Sequence, residues 1–60
     1  MNKTDKRADI MDVALNLIAE RGFHDSPMSL IAREAGVAAG TIYLYFESKD
    51  NLILALTRNL

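Results

Sequence analysis

Ile10, Ala14, Leu17 and Ile18 recur at the spacing of one helical face, and Arg21 continues the line at i+11. Asp9, Asp12, Asn16 and Glu20 fall on the other faces, so the pattern predicts an amphipathic helix over about 5–21. Thr4 or Asp5 is suited to cap its start, where a side-chain oxygen meets a free amide and an acid opposes the positive end of the helix dipole. Gly22 suits the left-handed residue that closes a helix, and Phe23 is placed to fold back over it.

His24-Asp25-Ser26-Pro27 breaks the pattern. Ser26 reads as an N-cap and Pro27 as a first helical residue, where a missing amide costs nothing. Met28, Ile31, Ala32 and Ala35 then make an apolar stripe that Gly36 ends, with Leu30 off the stripe and therefore exposed or meeting another element. A third helix is predicted from Ala38 or Ala39 to Phe46. At 100° per residue Ala38, Ile42, Tyr45 and Phe46 gather on one side. Gly40, Tyr43, Leu44 and Glu47 face the other way, with Thr41 on a flank. Ser48 reads as the next cap, before a fourth helix carrying Leu52, Ile53, Leu56 and Leu60. That helix reaches Leu60 without a stop signal, as expected of a chain that continues.

Two short helices joined by a few residues with a glycine are the plan of a helix-turn-helix, here over about 28–47. Ala32 is small enough for close helix approach, Gly36 supplies the positive φ of the turn, and Val37 with Ile42 forms the plug that fixes the interhelical angle. The outer face of such a third helix fits the major groove of DNA, which admits one α-helix.

Composition narrows the classes. With 60 residues the chain has room for one small core and no buried substrate cleft. Without cysteine it has neither a disulfide framework nor a thiolate zinc site. The polar N-terminus lacks the apolar stretch of a secretory signal, and no run approaches a membrane span, so the expected location is the cytoplasm. The net charge of −1 is unusual for a DNA-binding unit. Lys3, Lys6 and Arg7 oppose only Asp5 over residues 1–7, however, which reads as a basic arm on a slightly acidic body spanning 8–60. His24 has no second ligand nearby and Ser26, Ser29 and Ser48 have no base partner, so the expectation is no metal, no cofactor and no catalysis.

Gly22-Phe23, the run Ile31-Ala32-Arg33-Glu34-Ala35-Gly36-Val37-Ala38-Ala39-Gly40-Thr41-Ile42-Tyr43-Leu44-Tyr45-Phe46, and Ser48-Lys49-Asp50-Asn51-Leu52 resemble the N-terminal domain of the tetracycline-repressor (TetR) family. The resemblance runs from about Ile10 to Leu56. It implies an all-α fold, a three-helix homeodomain-like bundle with a helix-turn-helix and the start of a fourth helix. It also implies sequence-specific binding to a double-stranded DNA operator, as the reader domain of a ligand-responsive repressor. By the same resemblance, Thr41 and Tyr43 match positions that meet phosphates. Ala39, Gly40, Leu44 and Tyr45 match positions facing bases or backbone, Ser29 matches a second-helix position that reads a base when it is Arg, and Lys49 matches a phosphate-binding lysine at the start of the fourth helix. Family members are homodimers whose larger C-terminal domain, absent from this sequence, binds a small-molecule effector. Four positions depart from the pattern, in three ways. Ala38 stands where Ser is usual and removes a side-chain cap worth about 1 kcal/mol. Ser29 and Ala39 replace longer polar or basic residues. Leu44 is apolar in the middle of the groove-facing surface and is suited to a thymine methyl. The alternative reading is a small helical protein-interaction module, with Leu30 and Leu44 as its docking surface.

Overall fold

The computed structural model describes residues 5–58, in which four helices follow one another: α1 (Lys6–Arg21), α2 (Met28–Glu34), α3 (Ile42–Tyr45) and α4 (Lys49–Arg58). Lys3, Thr4 and Leu60, to which the sequence assigned an arm charge, a cap and an apolar end, lie outside the described residues. α1 starts where Asp5 accepts the Ala8 amide at 3.0 Å, so Asp5 is a cap in the helix. Lys6 and Arg7 form its first turn, and the boundary expected between residues 7 and 8 falls inside that helix.

The core is one cluster drawn from all four helices. Ile10, Met11 and Ala14 of α1 meet Met28, Ile31 and Ala32 of α2, Ile42 with Phe46 at the end of α3, and Leu52 with Ala55 of α4. Val13, Leu17, Ala35, Val37 and Leu56 pack around it. Of the expected stripes of α1, α2 and α4, Ile10, Ala14, Met28, Ile31, Ala32 and Leu52 are buried, Leu17, Ile18, Ala35, Ile53 and Leu56 are half-buried, and Arg21 is exposed. Met11, Val13 and Ala55 widen the apolar faces beyond the residues the periodicity selected. Leu30 is half-buried.

The turn between α2 and α3 satisfies its own backbone. Val37 N–H donates to Ala32 O at 2.9 Å and Gly36 N–H to Arg33 O at 3.1 Å, the paired bonds of a Schellman closure with Gly36 at φ +78°. Val37, half-buried, supplies the hydrophobic contact that accompanies this motif. Lys6 Nζ donates to Ala35 O at 3.4 Å, a cation against the negative end of α2.

Four local expectations change. Gly22 has φ +89° and ψ +163°, an extended mirror-image conformation and not the left-handed helical one, because the chain leaves α1 straight into the turn at 23–26. Ser26 does not cap α2. Its hydroxyl, fully buried, donates backwards to Gly22 O at 2.8 Å and pins that turn. Pro27, extended at ψ +156°, is therefore the residue flanking α2 and not its first helical residue, and its carbonyl accepts from Leu30 and Ile31. α3 is regular only over four residues. Ala38 O accepts from Thr41 and Ile42, and Leu44 bonds Thr41 three residues back, so 38–41 winds as tight turns. Ser48 does cap α4, accepting the Asn51 amide at 3.2 Å.

Candidate nucleic-acid interface

α3 is held from one side and open on the other. Ile42 is fully buried and Phe46 is 3% exposed, while between them Tyr43 is 50%, Leu44 84% and Tyr45 39% exposed. Phe46 is the core aromatic that its spacing predicts. Tyr45 and Ala38, placed with it on the inner side, are exposed. The physical reason is the tight winding before Ile42: an even 100° step from residue 38 to 46 does not describe a segment that is α-helical only at its end. Three consecutive side chains on one short turn are thus exposed, Leu44 most of all.

The other expected contact residues are distributed around this turn. Ser29 is exposed on α2, Ala39 and Gly40 are exposed in the entry to α3, and Thr41 is half-buried. Glu47 is exposed at the exit, where its Oε1 accepts from Asn51 Nδ2 at 3.3 Å. Tyr43, Leu44 and Tyr45 share an open groove of about 590 Å³ with Arg7, Leu54 and Arg58, whereas Ser29, Ala39, Gly40, Thr41 and Lys49 lie outside it.

Lys49 is tied down. Its ammonium lies 4.1 Å from the centroid of the Phe23 ring and donates to Phe23 O. Phe23, expected to fold back over α1, instead stays more than one-third exposed and receives Lys49 on its face, with His24 edge-on at 5.5 Å. An ammonium has three N–H donors, so this contact fixes the head group and leaves two for another acceptor. Periodicity carries no signal for such a link, since it joins a loop and a helix start 26 residues apart. Among the described residues no group of three or more His, Cys, Asp or Glu is arranged to hold a metal ion, and no helix is long and apolar enough to cross a membrane.

The model of bacterial regulatory proteins of the tetR family matches residues 10–56, most of the chain and all of the helix-turn-helix. The chain belongs to the tetR family. Among curated members, the fatty acid metabolism regulator protein of Bacillus subtilis (strain 168) is 50% identical over 54 residues, covering 90% of this chain and 28% of that protein. The HTH-type transcriptional regulator BetI of Klebsiella pneumoniae (strain 342) is 40% identical over 55 residues, 92% of this chain and 28% of its own length. The HTH-type transcriptional repressor KstR2 of Rhodococcus jostii (strain RHA1) is 34% identical over 56 residues, 93% of this chain and again 28% of that protein. This tetR-family chain therefore spans little more than a quarter of the length of these relatives. No solved structure matches it. The all-helical fold expected of the family is the fold observed among the described residues; by name the second and third of these relatives regulate or repress transcription and the first regulates fatty acid metabolism.

Proposed function

We propose that the chain, with the whole of α1 included, is the DNA-reading domain of a ligand-responsive transcriptional repressor, with the segment 39–46 in the major groove. The observation that supports this most is the solvent-facing run Tyr43-Leu44-Tyr45 on a turn anchored from behind by Ile42 and Phe46. A fixed turn with three solvent-facing side chains is a reading surface, and an 84% exposed leucine at its centre gains from being covered. In this reading Thr41, Tyr43 and Lys49 meet phosphates, Lys49 with the two donors that Phe23 leaves over. Ala39, Gly40, Leu44 and Tyr45 face bases or backbone, and Ser29 approaches from α2. The role is binding and not catalysis. The intact protein is a cytoplasmic homodimer whose C-terminal domain takes a small-molecule effector, and two domains held together gain affinity through effective concentration.

The test follows from the chemistry of Leu44, which has no side-chain hydrogen bond to offer. On an operator selected from random duplexes, uracil in place of the contacted thymine deletes one methyl and leaves every hydrogen bond. Affinity is expected to fall by about 1 kcal/mol, the scale of one buried carbon group, and Leu44→Ala should abolish that sensitivity. A uracil scan with no position responsive to Leu44→Ala removes Leu44 from the reading surface.

A further inference from the structure

We infer that Lys6 and Arg7 act as a clamp across the helix-turn-helix, with Arg7 a positioning residue that sets how the Tyr43–Tyr45 surface is presented. The functional half of this inference rests on the DNA-reading proposal; the structural half stands on the contacts themselves.

α3 contains a single regular turn, and its orientation depends on the two side chains that enter the core, Ile42 and Phe46. Phe46 is also where the helix stops: at φ −136° and ψ +112° the backbone turns extended and leads away to α4. Its ring is thus the pin between the reading surface and the next helix. The Arg7 guanidinium lies 5.0 Å from the centroid of that ring. Arg7 is itself held, since its Nη1 donates to Met11 Sδ at 3.5 Å, one turn further along α1, and Met11 belongs to the core. The preceding residue reaches the other side of the motif, with Lys6 Nζ donating to Ala35 O at the end of α2. Two successive residues of α1 therefore hold Ala35 and Phe46, the residues that close the two helices of the motif, from a helix whose own start is fixed by Asp5. A planar guanidinium suits the ring face better than an ammonium, and this contact engages a cation that composition alone would assign to phosphate.

The experiment compares the chain with Arg7→Met, which keeps the apolar stem and removes the cation, and with Arg7→Lys, which keeps the charge. Two readouts are taken: NMR of the Phe46 ring and of amide exchange at Leu44, Tyr45 and Phe46, and binding to the selected operator and to a random duplex across a salt series. The clamp predicts altered Phe46 ring signals and faster exchange at those three amides in Arg7→Met, with α4 amides unchanged and Arg7→Lys intermediate. It also predicts a three- to fivefold loss on the operator, the size of an exposed cation–π contact, about half of that or less on random duplex, and an unchanged salt slope. Equal losses on both duplexes with a slope lower by about 1 make Arg7 a phosphate ligand and overturn the positioning role. Unaltered Phe46 signals and exchange overturn the clamp itself. A chain that binds no duplex at all removes the DNA-reading proposal, while the ring signals and exchange rates still decide the structural half.

Discussion

Ile42→Ala is expected to destabilise the chain by about 2–5 kcal/mol, the range for truncating a buried isoleucine and leaving a cavity. Ile42 has no exposed surface and is one of only two α3-end side chains in the core. A 60-residue domain has a total stability of roughly 3–9 kcal/mol at the usual 0.05–0.15 kcal/mol per residue, so the loss is a large share of the whole. Urea unfolding followed by helical circular dichroism should show a much lower midpoint, with α3 the first segment to lose amide protection. Leu44→Ala, one turn face away and solvent-facing, is the control and should stay within about 0.5 kcal/mol. If the two variants unfold alike, the assignment of inner and outer faces of α3 is wrong.

Gly22→Ala should cost about 1–3 kcal/mol although the new methyl meets nothing. Nothing lies within 4 Å of a Cβ built at Gly22, so crowding contributes no penalty. The cost is in the backbone: φ +89° with ψ +163° is a region open almost only to glycine. The chain cannot relax cheaply, because Gly22 N–H bonds Ile18 O at 2.8 Å on one side and Gly22 O accepts from buried Ser26 on the other. For a domain of this size each kcal/mol moves the melting temperature by about 4–8 °C, so a thermal scan resolves the effect. Gly40→Ala separates the two causes. Gly40 also has open space around a Cβ but is not among the positive-φ glycines, so its substitution should be neutral within about 0.5 kcal/mol. Equal melting points for the two variants would show that Gly22 does not depend on its special backbone conformation.

The sequence was most legible where one side chain decides one position. The apolar stripes of α1, α2 and α4 carry the core because helical spacing alone places Ile10, Ile31 and Leu52 inward. Gly36 announces its turn because the Schellman closure requires a left-handed residue there. Ser26 misled because a hydroxyl both donates and accepts: the residue type fits a cap, and only the loop's path decides that it bonds back to Gly22. Tyr45 misled because a uniform helical step was carried through 38–41, where the winding is tighter. The candidate surface around Tyr43 and Leu44 was legible from the outer face of the same helix. The contacts of Lys6, Arg7 and Lys49 were not, since long flexible side chains crossing between elements leave no periodic trace.

Titration of the chain with double-stranded DNA over a range of salt concentrations tests the central claim most directly. A surface that places the Lys49 ammonium on a phosphate, with the neutral hydroxyls of Thr41 and Tyr43 beside it, releases condensed counterions through its cation, so the logarithm of the binding constant should fall linearly with the logarithm of salt concentration. Each neutralised phosphate contributes a slope of about −0.9, and Leu44→Ala should weaken binding to a selected operator while leaving that slope unchanged. Binding to no duplex at low salt, or binding whose strength does not respond to salt, would contradict the account.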